Sequence, residues 1–438
     1  MKHINYRKLL SVSLAVFAAG ATVLAGIPAS ATPTTETSTL AGYPLEFTRV
    51  IHDAAQAAAL SALPNRLYVI PVLGGQALSF DLGLNPRGTI SGISGLGTQA
   101  FDQNNNIVAT TSCVGVNSGQ ANCMQIAIAG MTATGENFGL TVNKTINLDS
   151  FGGIDNHEIL PDPTRNGYWA TQYEQIPCDT NVALCGANRP ASITTALDCR
   201  VVRFDDTGKL TFEWRASQNL PMSQLRLAKW AASPIGLYQN EVADPYHCNS
   251  VSVSPDGKKV LVSMRHMDSI YAIDIASGKV DWKIGGNTWK GKSLKIGGKY
   301  IADILGGQHD ARIQPNGNIS VFDNGSGLAR PGRGLIFKVH ANTHRAKLVA
   351  VMSDPLRALS RCTGSFRPAL NYAYWVAEWG CSTSGATVFT ASGKPVVSSF
   401  YPRSAINKPY IYAQWDYIAT SFGYRGLVIP AALTPSAG

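Results

Sequence analysis

Between Tyr246 and Asn324 the chain runs twice through one strand-turn-strand pattern, and few architectures admit such a restart. The first copy opens with Tyr246-His247-Cys248-Asn249-Ser250-Val251, turns at Pro255-Asp256-Gly257 and returns through a β-branched segment to Ser263-Met264-Arg265. Asp274, Ser277-Gly278-Lys279 and Trp282 then mark a second hairpin. The next copy opens with Gln308-His309-Asp310-Ala311-Arg312, turns at Pro315-Asn316-Gly317 and continues from Ile319 to Phe322 and Asp323-Asn324. Asn or Asp followed by Gly supplies the backbone freedom of tight turns. A unit of roughly 40–50 residues with four short strands cannot bury both its faces alone, and stacked copies of it are propeller blades.

Further copies extend the pattern. One starts at His157, turns at Arg165-Asn166-Gly167 and ends with Phe212-Glu213-Trp214; another starts near Cys362-Thr363 and passes through Tyr374-Trp375-Val376. Weaker copies fit residues 77–93 and 99–142. The expectation is an all-β chain, a β-propeller of about six blades over residues 45–438. Residues 173–199, 215–245 and 286–306 are expected to be loops crowning one face, and 53–63 is Ala-rich enough for a short helix or turn. Residues 45–51 are expected to complete the ring with a C-terminal strand such as 427–430.

The first 31 residues read as a secretory signal: Lys2, Arg7 and Lys8, an apolar run over 9–26, then the small-residue site Ala29-Ser30-Ala31. No paired arginines precede the run, which points to the general export route and a secreted, periplasmic or cell-surface protein. The Thr-rich residues 32–44 are expected to be a disordered leader. Export would remove three of the positive charges behind the formal +9, leaving a moderate basicity suited to anionic small molecules. No Lys/Arg run of the kind that marks nucleic-acid binders occurs. No later stretch is apolar for the ~18 residues of a membrane span. The eight cysteines read as disulfides. Spacing suggests Cys113 with Cys123, Cys178 with Cys185 and Cys362 with Cys381, leaving Cys199 and Cys248 either bridged or free. With no CxxC pair, a cysteine-ligated metal is not expected.

The first strand of each propeller blade lines the central axis, so residues in one register converge on one funnel. His157, His247 and His309 each stand shortly before the turn that follows their first strand. A lone histidine is usually a packing residue; three in equivalent places point to a site. Arg265 ends the strand expected to return beside His247, where it either joins the site or forms a surface or inter-blade salt bridge. Asn249, two residues after His247, should face the same side and either supply a neutral donor to the pocket or bond a neighbouring loop. Asp310 should point away, so no carboxylate is assured nearby. Such a donor-rich pocket suits an anion with several oxygens, and a neutral imidazole within it can be a nucleophile. Its non-catalytic counterpart is an anion-binding pocket. Tyr168, Trp169, Trp230, Tyr246 and Trp379 are candidates to sandwich an aromatic ring, or equally to be core.

The segments His157-Glu158-Ile159-Leu160, His247-Cys248-Asn249-Ser250-Val251 with Arg265 downstream, Trp282-Lys283-Ile284-Gly285-Gly286, and Gln308-His309-Asp310-Ala311-Arg312 with Phe322-Asp323-Asn324-Gly325 resemble those of the bacterial arylsulfotransferases. These are exported enzymes that move a sulfuryl group between phenols without the nucleotide sulfate donor. The resemblance covers roughly residues 150–340. It implies a six-bladed propeller with its site in the central funnel and His309 as the nucleophile that becomes sulfated. It further implies that His157, His247 and Arg265 hold the sulfuryl oxygens and assist the phenol oxygens, with Asn249 as a further contact. Phenols and aryl sulfates would be the partners, the kinetics ping-pong, and no cofactor or metal is implied. The chain has little room before its first blade for the extra N-terminal β domain of the enteric members, which dimerise, so the resemblance assigns no oligomeric state. Rival readings are a non-catalytic secreted interaction propeller, a three-histidine metal-dependent hydrolase, which Arg265 disfavours, and a quinone-dependent dehydrogenase, whose carboxylate ligands are not evident.

Overall fold

Residues 248–285 show why the repeat folds as a sheet of four strands. Cys248–Val253, Lys259–Met264, Ser269–Asp274 and Val280–Gly285 pair in sequence as an antiparallel meander. Gly257 and Gly278 occupy positive φ in its turns, where Asp256 and Asp274 accept hydrogen bonds from Lys258 N and Ser277 N. Its residues alternate between two neighbours. Val260, Val262, Tyr271 and Ile273 pack with Trp169, Val201 and Trp214 of the preceding unit. Leu261, Ile270, Ala272 and Ile284 pack with Val321, Leu335 and Phe337 of the following one. A sheet buried on both faces is one layer of a radial stack, and at ~25 cal/mol per Å² this apolar burial is the main stabilising term.

The computed structural model describes residues 32–40, 43–70, 77–94, 96–117, 120–233, 236–239, 241–328, 330–353, 360–380, 385–400 and 425–434. The expected signal segment 1–31 lies outside them, and residues 33–438 form one compact unit. The described strands make five hydrogen-bonded sheets, of six, nine, six, four and five strands. Apolar clusters lie between successive meanders, and one joins the last to the first, bringing Val376, Val388 and Val397 against Leu67, Leu78 and Phe80. The stack therefore closes on itself as a β-propeller. Hydrogen bonding alone gives five sheets; a sixth blade follows only if the nine-stranded sheet is divided where Pro86–Ser91 meets Asn137–Asn147 in a short parallel contact.

Several expectations need correction. Ring closure does not pair the first strand with the last. Tyr43–Ile51 pairs with Pro395–Phe400, whereas Arg425–Val428 pairs with Arg66–Ile70, so the two ends of the chain close the ring at different sheets. The Thr-rich leader is not disordered throughout: Thr34–Leu40 is an exposed edge strand on Tyr43–Ile51, as its β-branched threonines allow. The two ends of 173–199 are strand, in the hairpin of Tyr168–Pro177 on Thr195–Phe204, and residues 178–194 are the connection between them, with the short helix Val182–Cys185. Of the short helix or turn expected at 53–63, the helix forms, Ala54–Ser61, capped by Asp53. The bridges Cys113–Cys123 and Cys178–Cys185 form, and Cys199 is joined to Cys248. Cys362 is also disulfide-bonded; Cys381 lies outside the described residues. Among the described residues no helix is long and apolar enough to cross a membrane.

Candidate functional site

The three histidines enter from the same end of three neighbouring inner strands. His309 opens the strand His309–Ile313, His247 directly precedes Cys248–Val253, and His157 lies in the turn before Ile159–Pro161. Adjacent inner strands are bonded to each other: Ser250 and Ser252 hydroxyls accept from the backbone N–H of Ala311 and Ile313. Register shifts follow both His247 and His309, and positive φ at His247 (48°) and Asp310 (52°) marks the kinks. Such irregularities re-aim a side chain at a strand end. Asn249 donates through Nδ2 to the carbonyl of Gln308, at 2.8 Å.

Each histidine is held from behind. Nδ1 of His157 lies 2.8 Å from an Asp155 carboxylate oxygen, and Nδ1 of His247 lies 2.5 Å from Asp244 Oδ2. Nδ1 of His309 lies 2.7 Å from Asn324 Oδ1. The Asn324 amide is oriented by its own Nδ2, which donates to the Thr363 carbonyl at 2.8 Å. Oδ1 is therefore the atom facing His309, so Nδ1 carries the proton and Nε2 keeps its lone pair. Burial, reinforced by the Arg265 charge and by His247 and His157, holds His309 well below the usual imidazole pKa, against the opposing Asn324 bond. His309 is a neutral imidazole at pH 7.

The other rings sit close to one another. His157 and His247 have centroids 5.1 Å apart, and Tyr173 meets His157 edge-on at 6.0 Å while donating its hydroxyl to the Cys248 carbonyl. Burial lowers the His247 pKa, with Asp244 opposing it. Burial pushes Asp244 upward, but His247 and His266 outweigh it and bring Asp244 to about 2. Arg265 does not end its strand but begins the 3-10 turn Arg265–Met267, its backbone N–H on the His247 carbonyl at 2.8 Å. Its guanidinium lies 4.5 Å above the Trp230 ring and donates to the Arg361 carbonyl at 3.2 Å. Burial lowers its pKa to about 10, against Asp244 and Asp268; Arg265 remains a cation at neutral pH.

A sequence-family model described as Arylsulfotransferase (ASST) matches residues 128–396. The chain belongs to the arylsulfotransferase family. Among curated proteins none matches the sequence. Solved structures similar to this family member include the periplasmic gluconolactonase of Pseudomonas aeruginosa, at 11% identity and TM-score 0.43, covering 84% of this chain and 99% of that one. A putative 6-phosphogluconolactonase from Bacteroides fragilis shows 10% identity and TM-score 0.42, covering 84% and 98%. A functionally unknown protein from Desulfotomaculum acetoxidans shows 12% identity and TM-score 0.42, covering 83% and 98%. Nothing is carried over from these three.

Within this arylsulfotransferase-family chain, sequence reasoning missed Asp155, Asp244, His266 and the orienting role of Asn324. A signal was present: an aspartate stands two residues before His157 and three before His247. The expectation of a carboxylate-poor site is corrected accordingly, although Asp310 does turn away, onto Arg312 and Arg367. Of the five aromatic candidates only Trp230 reaches the site. Tyr168 packs on Phe204, Trp169 on Phe212 and Trp379 on Phe322, and Tyr246 is fully buried core. Among the described residues Asp244, His247 and His266 form a cluster of metal-ligating type. Its donors do not fit a cation: Nδ1 of His266 donates to the Asp244 carbonyl and its Nε2 receives Arg265 Nη1, leaving that ring no lone pair to offer.

Proposed function

We propose that the chain transfers a sulfuryl group from an aryl sulfate to a phenol, with His309 as the nucleophile, in a ping-pong cycle. The observation that carries this reading is the His309–Asn324 hydrogen bond. It leaves a buried neutral imidazole with a lone pair on Nε2 while the charge of Arg265 acts on the same ring. In the first half-reaction Nε2 bonds to sulfur, the sulfur–phenol oxygen bond breaks and the phenolate takes up a proton. In the second, the acceptor phenol oxygen bonds to sulfur, the N–S bond breaks and the acceptor's proton is released. A loose in-line transition state places charge on the equatorial oxygens and on the departing phenolate. Arg265 is assigned to those oxygens, where a pre-oriented donor favours the transition state over the ground state. His247 and His157 are assigned to the phenol oxygens, each ring held at Nδ1 by an aspartate so that Nε2 can take the acceptor's proton. Asn249 is assigned to holding the backbone at Gln308 rather than the sulfuryl group. We read the nine-stranded sheet as two blades, six in all, and residues 1–31 as the export signal of a protein whose disulfides suit an oxidising compartment.

The test is transfer from p-nitrophenyl sulfate to a second phenol, in the presence of chelator. Nitrophenol release that depends on the acceptor and vanishes in His309→Ala is expected. A folded protein that releases none with any phenol would leave an anion-binding propeller in its place.

A further inference from the structure

Arg265 and His247 are reached from one further imidazole that the proposed chemistry leaves unused. His266 is buried between them, its ring 4.6 Å from that of His247 on one side and 4.6 Å from that of Trp230 on the other. Its two nitrogens are committed in opposite senses. The Asp244 carbonyl can only accept, so Nδ1 of His266, 2.5 Å away, is the protonated nitrogen. The guanidinium can only donate, so Nε2, 2.6 Å from Arg265 Nη1, is the acceptor. The ring is thus fixed as one neutral tautomer, and burial holds its pKa well below the usual value. Asp244 completes the connection, because its carboxylate accepts from both the backbone N–H and Nδ1 of His247.

The geometry assigns His266 the role of a positioning residue: it orients Arg265 through Nε2 and, through Asp244, ties that guanidinium to His247. Resting on the sulfuryl-transfer reading, this means that the guanidinium assigned to the sulfuryl oxygens and the imidazole assigned to the phenol oxygen share one anchor. A neutral acceptor suits the purpose, since it fixes the direction of the guanidinium without adding a counter-charge of its own. Trp230 covers the guanidinium face and the Arg361 carbonyl accepts from Nη2, so the His266 bond adds an in-plane hold on Nη1.

Two substitutions separate the two nitrogens. His266→Asn can keep a donor near the Asp244 carbonyl but is too short to accept from Arg265. His266→Gln reaches far enough for its amide oxygen to accept. In p-nitrophenyl sulfate transfer, His266→Asn is expected to lower kcat about 100-fold with KM changed little, the scale of loss for a misplaced group. His266→Gln should recover at least part of that loss. Adding His266→Asn to Arg265→Ala should cost little beyond Arg265→Ala alone, because residues acting through one another are not additive. Equal losses in the Asn and Gln variants, losses that multiply in the double variant, or kcat within about twofold of wild type in His266→Asn would each overturn the assignment. If the wild-type protein transfers no sulfuryl group, that result counts against the function, and the assignment is decided by the crystal structure of His266→Asn. A displaced guanidinium supports it, and an Arg265 that keeps its place over Trp230 and its bond to the Arg361 carbonyl overturns it.

Discussion

Asn324 decides which nitrogen of His309 carries the proton, and so whether the ring presents a lone pair to a substrate. Replacing it with leucine removes the acceptor and leaves a buried donor unpaired. Asn324→Leu should lower kcat for sulfuryl transfer by about 100-fold or more, the scale seen when a catalytic imidazole loses the partner that sets its tautomer. A steady-state comparison with the wild type checks it. The depressed pKa of His309 carries a second prediction. Its ordinary value is 6.5, and burial beside Arg265 holds it well below that. The free enzyme's nucleophile should therefore stay unprotonated as the pH falls through 6.5, and kcat/KM should keep its plateau there and fall only at lower pH. Stability moves in the opposite sense. His247, His266 and His309 all have folded-state pKa values below 6.5, so on acidification the unfolded chain takes up protons before the folded one does. Folding stability contributed by these rings is complete above about pH 6.5–7 and is lost as the pH falls, which urea midpoints measured from pH 7 to 5 should register.

At the scale of elements, the first turn after each inner histidine matters most. The strands behind His247 and His309 are kinked where they leave the site, so strict alternation fails just where sequence reasoning relied on it. The histidines were legible because they recur in register, and Arg265 because an antiparallel return brings it back to His247. For Asn249 the sequence left open a contact in the pocket or a bond to a neighbouring loop, and its hydrogen bond to the Gln308 carbonyl realises the second. His266 was missed because the strand ends at Met264 and a 3-10 turn, rather than continued alternation, sets its direction. The Cys199–Cys248 bridge ties the hairpin strand Thr195–Phe204 to the strand that follows His247, across a sequence separation of 49 residues. Closing a loop of that length restricts the unfolded chain by about 4 kcal/mol, so paired replacement of Cys199 and Cys248 by serine should lower unfolding stability by about that amount. Because Cys248 adjoins His247, transfer activity should fall as well, and denaturant titration alongside the kinetic assay separates the two effects.

For the whole molecule, the two chain ends close different sheets, Tyr43–Ile51 onto Pro395–Phe400 and Arg425–Val428 onto Arg66–Ile70. The propeller was legible from its turns and β-rich runs, since Pro255-Asp256-Gly257 and Asn316-Gly317 recur at equivalent places. The closure was not, because 45–51 and 427–430 are both short stretches of strand-forming residues that fit either neighbour by composition. What the ring achieves is convergence: residues more than 150 positions apart, His157 and His309, act on one another electrostatically inside a buried cluster. The central claim is that this cluster makes His309 a covalent carrier of the sulfuryl group. The most direct measurement is to mix the protein with p-nitrophenyl sulfate without any acceptor, follow the burst of nitrophenol, and map the modified peptide by mass spectrometry under conditions that preserve N–S bonds. The account predicts one nitrophenol per chain and a peptide carrying one added SO3 at His309, both absent in His309→Ala. Acceptor-dependent transfer that proceeds with no burst and no adduct, or an adduct on another residue, would contradict it.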